Sequence, residues 1–346
     1  MMADKITSLQ VAQKAGVSQS AVSRVFTPGA SVSQKTIAKV RSAAAELGYR
    51  PNVLARAMVS GKSRIIGLVV AYLDNYFYPE ALEILSNSLQ ERGYHVLVFM
   101  ASQTAGNIDG VVEEILDYQV DGIVTASVAM SSDLSQRCRQ AGVPVVHFNR
   151  SEDNDGVSSI TSNNFQGGRD LAKFLVAGGH TKIAYIAGWE GASTQRDREA
   201  GFRTGLAECG QELFARQVGD FDVDRARAAA NAMFNVPAHD RPDAVFVAND
   251  HMAFAAMDEL RFGLGLRIPE DVSVVGFDDV PPSAWRAYDL TTMRQRANLM
   301  VHETVETLIA HIETPDTAHT RTISIPAPLV IRRSARVPDG WRQDEG

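Results

Sequence analysis

The stretch Thr7-Ser-Leu-Gln10-Val11-Ala12-Gln-Lys-Ala15-Gly16-Val17-Ser18-Gln19-Ser20-Ala21-Val22-Ser23-Arg24-Val25-Phe26 decides how one end of this chain folds. Thr7 followed three residues later by Gln10 is a capping box, so a first helix starts at Ser8 and runs to about Ala15 with Val11, Ala12 and Ala15 facing inward. Gly16 ends it, Val17 plugs the turn, and Ser18 caps a second helix over Gln19–Phe26 with Val22 and Val25 inward. Gln19, Ser20, Ser23 and Arg24 then face outward. Further on, Ser33 caps a third helix with Ile37, Val40, Ala44 and Leu47 on one face, and Gly48 supplies the left-handed stop. Such an order suits a helix-turn-helix. With the head of the second helix in a major groove, Gln19 matches adenine and Arg24 matches guanine, pairings that discriminate bases by roughly 1–3 kcal/mol each.

A small helical hairpin with surface Gln and Arg could look the same, and charge separates the two readings. Residues 1 to 64 hold ten Lys or Arg against Asp4 and Glu46, a balance of +8, whereas the whole chain is −7 and the remainder is therefore −15. A basic head on an acidic body concentrates phosphate neutralisation, and the counterion release that drives it, at one end. Lys35 is the expected phosphate contact.

The pattern Thr7-x-x-x-Val11-Ala12-x-x-Ala15-Gly16-Val17-Ser18-x-x-x-Val22-Ser23-Arg24-Val25, followed by Val32-Ser33 and Leu47-Gly48-Tyr49-Arg50-Pro51-Asn52, resembles the LacI/GalR family of bacterial regulators. Departures are local: Gln10 where Asp is common, Ala21 where a threonine is usual, and Thr27-Pro28-Gly29 in place of an Asn-led turn. Loss of the hydroxyl at Ala21 would remove one phosphate contact. The resemblance implies that the helix-prone segment Asn52–Ser60, too short to be stable alone, is a hinge helix. Two copies would meet in a minor groove with Met58, where leucine is usual, as the wedge between base steps. The DNA-contacting set expected on this basis is Thr7, Ser18, Gln19, Ser20, Ser23, Arg24, Lys35 and Tyr49 in the head, with Asn52, Leu54, Ala55 and Met58 in the hinge.

Beyond Arg64, short β-rich runs alternate with helical patterns: Ile65–Val70, His95–Phe99, Gly122–Thr125 and Pro144–His147, then Ile183–Ile186, Ala244–Val247 and Val272–Gly276. Alternation of this kind implies parallel α/β sheets. The echo of Arg64-Ile-Ile-Gly-Leu-Val in Lys182-Ile-Ala-Tyr-Ile-Ala marks two similar lobes. The expected fold is an all-α three-helix helix-turn-helix domain plus an α/β core of two doubly wound parallel sheets, which the resemblance makes periplasmic-binding-protein-like. Expected boundaries are 1–49 for the head, 50–63 for the hinge, 64–336 for the core and 337–346 for a tail. The first lobe is 64–162 plus 293–323, and the second 163–292 plus 324–336.

Ligands of doubly wound sheets bind past the carboxyl ends of the strands. Polar and aromatic residues gather there in sequence: Tyr72, Asp74 and Tyr78 after the first strand, Asn149 and Arg150 after the fourth, Arg196 and Arg198 before a helix, then Phe221, Asn249, Asp250, Asp278 and Asp279. Carboxylate, amide and guanidinium groups with aromatic faces are what sugar hydroxyls and rings require. The resemblance implies effector contact at Arg198, Asn249, Asp250 and Asp278, with Phe221 and Gln295 as lining. The expected effector set is Tyr78, Asn149, Arg150, Arg196, Arg198, Phe221, Asn249, Asp250, Asp278 and Gln295. Strand-end Asp and Asn can instead cap the following helix, a reading weighed most for Asp250 and Asp279. Asn163 stands where the family has aspartate, beside a lobe crossover, which bears on the interlobe latch.

Enzymatic motifs fail on spacing. Gly263-Leu-Gly265 lacks the later glycine of a dinucleotide loop, and Gly61-Lys62-Ser63 precedes a strand instead of following one. Asp220-x-Asp222-x-Asp224 has Arg225 where a calcium loop needs glycine, His302-Glu303 has no second His, and no G-x-S-x-G elbow occurs. Cys138 and Cys209 read as reduced thiols. No cofactor or metal is expected. The start lacks a secretory apolar region, and the longest apolar run, Ile65–Leu73, is well below the roughly 20 residues that span a bilayer, so a cytoplasmic chain is expected. A solute carrier would need an export signal and no basic head; a sugar-processing enzyme would need an acid, base or nucleophile set. The expectation is a sequence-specific transcriptional regulator, read as a repressor. Its partners are a near-palindromic DNA operator, a second copy of itself and a small-molecule effector, a sugar or derivative or else a nucleoside or purine. The short polar tail, without heptads, argues for a dimer over a larger bundle.

Overall fold

Gln10 N donates to Thr7 Oγ1 at 3.4 Å and Thr7 N donates to Gln10 Oε1 at 2.8 Å, so both halves of the capping box close and α1 begins at Ser8. The computed structural model describes residues 6–26, 30–50, 62–101, 108–128, 130–152 and 156–341. It divides the chain into two compact units, residues 1–64 and 65–346.

In the first unit, α1 (Ser8–Ala15) ends at Gly16 with φ +65°, α2 (Gln19–Val25) is capped by Ser18, and α3 (Gln34–Leu47) is capped by Ser33 and stopped by Gly48 at φ +68°. The core is small. Val11, Val22 and Val40, one from each helix, are completely buried, and Ala12, Ala15, Ala43 and Ala44 fill the space between them. Two details differ from the expectation: α2 stops at Val25 with Phe26 as its cap, and Ala43 joins the core while Val25, Ile37 and Leu47 are only half-buried. Short alanines let the helix backbones approach, leaving larger residues at the rim. The expected hinge residues Asn52, Leu54, Ala55 and Met58 lie outside the described residues.

The second unit holds two six-stranded sheets. One has strand order β11-β5-β4-β3-β1-β2 and the other β12-β10-β9-β8-β6-β7. Here β1 is Ile65–Val70, β2 His95–Met100, β3 Gly122–Ala126, β4 Val145–Phe148, β5 Ser158–Ser162, β6 Ile183–Ala187, β7 Ala215–Val218, β8 Ala244–Val247, β9 Ser273–Asp278, β10 Thr291–Arg294, β11 Thr322–Ile325 and β12 Leu329–Val330. All neighbours are parallel except β10 and β12. In both sheets the first strand lies between the second and third, so each lobe has a topological switch point beside its first strand. The first lobe carries α4 (Phe77–Glu91), α5 (Ile108–Asp117) and α6 (Ser132–Gln140); the second carries α7 (Asn164–Ala177), α8 (Ser193–Glu208), α9 (Val223–Phe234) and α10 (Asp250–Asp258). Helix α11 (Ala297–Glu313) packs on α4, β4 and β5 of the first lobe. The chain thus crosses between lobes three times, after Ser162, after Arg294 and after Ile325. The last two crossings fall about two residues later than the expected breaks at 293 and 323, because β10 and β11 keep their ladders until Arg294 and Ile325. No helix among the described residues is long and apolar enough to cross a membrane.

Burial of both faces explains why β1, β3, β4, β6, β8 and β9 read as apolar runs. Helices α7 and α8 meet backbone to backbone: a Cβ at Gly168 would lie 2.2 Å from Arg198 O, and one at Gly201 would lie 1.9 Å from Phe165 O. That approach places Arg198 against the strand ends. Gly201→Ala is therefore expected to destabilise the core by about 3 kcal/mol, the upper range for overpacking, read as a lower urea midpoint with unchanged slope. An unchanged midpoint would contradict the close approach.

Candidate functional site

In the head, the groups meant to face DNA differ in exposure and in the bonds they already make. Ser20, Ser23, Arg24 and Lys35 are exposed, with Arg24 Nε only 3.5 Å from Ser20 O. Gln19 is exposed as well, but its Nε2 donates to Ser8 Oγ at 2.9 Å, a cross-helix bond that base reading would have to exchange. Thr7 and Ser18 spend their hydroxyls on caps: Ser18 Oγ accepts from Ala21 N at 3.2 Å. Tyr49 is half-buried, its ring 6.0 Å from that of Phe26, so its apolar face belongs to the small core.

In the core, β1, β4, β6, β8 and β9 deliver their following residues to one interlobe region. Asp278 ends β9 with φ 139° and is 3% exposed. Its Oδ1 accepts from Gln295 Nε2 at 2.7 Å and Arg198 Nη2 at 3.4 Å, and its Oδ2 accepts from Asn75 Nδ2 at 3.3 Å. Asn75 belongs to the loop after β1 in the first lobe, so this carboxylate is bonded from both lobes. Arg198, 2% exposed, also donates Nε to Asn164 Oδ1 at 2.8 Å and Nη1 to Ala248 O, and its guanidinium lies 3.8 Å from the centre of the Phe277 ring. Gln295 Oε1 accepts from Ser162 Oγ at 2.8 Å, which ties two of the three crossings together.

On the first lobe, Asn149 (φ 56°) donates Nδ2 to the Tyr78 hydroxyl at 3.1 Å, and Tyr78 meets Tyr72 edge to face. Arg150 donates Nη2 to Ser127 O and Oγ at 3.1 and 3.2 Å, while Trp189 of the second lobe places its ring 5.3 Å from the guanidinium carbon. Ser151 N donates to Ser193 Oγ at 3.0 Å, a further bond between lobes. Phe221 lies on Gly188, where a Cβ would meet its ring at 2.2 Å; only a glycine permits that wall. A cavity of 190 Å³ reaches Asp278 and Gln295, with Phe77, Glu80, Val280 and Arg296 among its walls.

Three expected site residues have other positions. Arg196 lies within the first turn of α8 and is exposed, outside the buried cluster, because two helical residues turn it some 200° away from Arg198. Asn249 Oδ1 is the N-cap of α10, accepting from Met252 N at 3.0 Å. Asp250 is fully buried and its carboxylate accepts from Asp279 N, Val280 N, Ser283 Oγ and Thr292 Oγ1 at 2.7, 3.2, 2.7 and 2.6 Å, so it builds the loop that follows β9. Asp279 instead pairs with Arg294 and Arg332. Asp222 caps α9 and Asp220 pairs with Arg225. Among the described residues no cluster of three metal-binding side chains occurs. Sequence reading did not single out Asn75, Ser127, Asn164 and Trp189; none lies in a motif that marks a strand end.

Burial, then the charge of Asp278, pushes the Asp250 carboxyl up to about 7. Burial also raises Asp278, opposed by Arg198, Gln295 and Asn75. Enclosure and the Tyr78 hydroxyl raise Tyr72 well above its ordinary value, keeping it an O–H donor.

A basic three-helix head and a two-lobed core with buried polar groups between the lobes define a class of ligand-responsive DNA-binding protein. Residues 9–52 match the family described as bacterial regulatory proteins, lacI family, and residues 172–335 match the periplasmic binding protein-like domain. The chain is 31% identical over 345 residues to the HTH-type transcriptional repressor PurR of Vibrio vulnificus, covering 95% of this chain and 98% of the relative, and 30% identical to PurR of Aliivibrio fischeri strain MJ11 over the same shares. Among solved structures, the lac repressor dimer bound to operator and the anti-inducer ONPF is 29% identical with a TM-score of 0.85, over 96% of this chain and 99% of that one. The transcriptional regulator CelR–cellobiose complex is 31% identical with a TM-score of 0.71, over 96% of this chain and 100% of that one. The chain belongs to the lacI family.

The raised Asp250 pKa has a pH signature. Its folded value exceeds the unfolded one, so its stabilisation is complete below the ordinary carboxylate range and is lost as pH rises through about 7. His251 and His311, lowered by burial, act in the opposite sense below their ordinary value. The comparison of wild type with Asp278→Asn isolates the carboxylates: removing the neighbouring charge lowers Asp250. The melting temperature of the variant relative to wild type is expected to rise between pH 5 and 8. A pH-independent difference would refute the coupling.

Proposed function

We propose that this chain is a dimeric, cytoplasmic DNA-binding repressor whose operator affinity is switched by a small polar effector, a sugar or sugar derivative, held between the core lobes. The observation that carries the effector reading is the buried Asp278–Arg198–Gln295 cluster, bonded across the lobes through Asn75 and placed where two switch-point sheets face each other. Such a cluster can exchange internal partners for ligand hydroxyls without leaving a charge unanswered. Tyr78, Asn149, Arg150 and Phe221 supply the remaining polar and aromatic walls in this reading. A purine or nucleoside effector is the second reading, favoured by the similarity to repressors named PurR.

In this mechanism two chains pair through their cores and present α2 of each head to the half-sites of a near-palindrome. Exposed Leu73 and Tyr76 beside β1, with Val98 and Met100 on the edge strand β2, form an apolar surface suited to pairing with a second copy. Residues 50–63, read from the sequence as the hinge, link head to core in this mechanism. Effector-driven lobe rotation then changes DNA affinity, a coupling of about 1–3 kcal/mol.

Gel retardation and fluorescence anisotropy with fragments upstream of the protein's own locus test the DNA reading; absence of any sequence-selective complex, with and without metabolites, would overturn it. Arg24→Ala is expected to cost about 1–3 kcal/mol and relax preference at one half-site position. Lys35→Ala should weaken all sequences alike and reduce the salt slope by about 1. Asp278→Ala should leave operator binding in place and abolish the effector response; retained response in that variant would move the effector site elsewhere.

A further inference from the structure

The two buried arginines of the cleft are in opposite states. Arg198 has each guanidinium nitrogen engaged, by Asn164, Ala248 O and Asp278. Arg150 is equally buried at 2% exposure, yet only Nη2 is bonded, to Ser127, while Nε and Nη1 have no hydrogen-bond partner. Among the described residues Arg150 forms no ion pair; the face of Trp189 lies 5.3 Å from its guanidinium carbon. Next to it, Asn149 Oδ1 is buried and also lacks a partner, its Nδ2 being committed to Tyr78. Buried donors and acceptors are ordinarily satisfied, and a guanidinium withdrawn from water without a counter-charge is costly.

We infer that the effector is an anion on a polyhydroxylated body, a sugar acid with its carboxylate against Arg150 Nε and Nη1 and a neighbouring hydroxyl donating to Asn149 Oδ1. This inference rests on the cleft being the effector site. A carboxylate supplies both acceptors and the missing charge, whereas a neutral sugar hydroxyl supplies acceptors without charge. Arg198 is already matched, its Nη2 donating to the Asp278 carboxylate and its other nitrogens to Asn164 and Ala248 O.

The test is titration calorimetry, with Trp emission as a second readout since Trp189 covers the guanidinium. It uses pairs sharing a skeleton: gluconate and sorbitol, galacturonate and galactose, glucose 6-phosphate and glucose. An acid member should bind at least tenfold tighter than its neutral counterpart, and the preference should collapse in Arg150→Met and return in part in Arg150→Lys. Preference for the carboxylates over the phosphate ester supports the full assignment; preference for the phosphate ester overturns the carboxylate and keeps only the anion. Equal binding of acid and neutral members, or an acid preference surviving in an Arg150→Met protein of unchanged melting temperature, overturns the inference. Binding by neutral sugars or nucleosides alone overturns it while leaving the cleft reading in place. Binding by no sugar, acid or nucleoside removes both.

Discussion

A carboxylate almost cut off from water has to be answered inside the protein, and Asp278 is answered from three sides. Arg198 comes from α8, Gln295 from the strand-to-helix crossing, and Asn75 from the opposite lobe. Each partner is itself held. Asn164 and Ala248 O orient Arg198, Ser162 orients Gln295, and the close glycine contact of α7 with α8 sets how near Arg198 can come. Part of the relation between the two lobes is therefore set by the solvation of one acidic group.

Asp250 and Asp278 show how the same side chain at the same kind of position divides its labour. Both lie at strand carboxyl ends. Asp250 sits where the backbone after β9 turns back, so two backbone N–H groups and two hydroxyls saturate it and make it architectural. Asp278 takes only side-chain donors, which are able to reorient. The charge of Asp278 adds to burial in raising the proton affinity of Asp250, so the loop and the cleft share one electrostatic balance.

The head and the core follow different physics. The head depends on caps and a few apolar contacts, which are local: Thr7, Gly16, Ser18, Ser33 and Gly48 all act within a few residues of themselves. The core depends on pairing between distant segments, and its polar interior is assembled from loops far apart in the chain.

Local signals were legible from residues alone: helix caps, turn glycines, the basic head, apolar strands buried on both faces, and the doubling of the α/β unit. These are set by short-range sterics, hydrogen bonding and charge, which need no knowledge of the remote chain. Tertiary structure decided the rest. The strand β5 is Ser-Ser-Ile-Thr-Ser, too polar to announce itself, and is buried because β4 and β11 flank it. Asn75, Ser127 and Trp189 carry no motif and join the cleft only through lobe packing, while Arg196, beside Arg198 in sequence, is turned outward by helix periodicity. Whether a polar side chain at a strand end caps, latches or waits for a ligand depends on which distant donors reach it, and that is fixed by the packing of the two sheets.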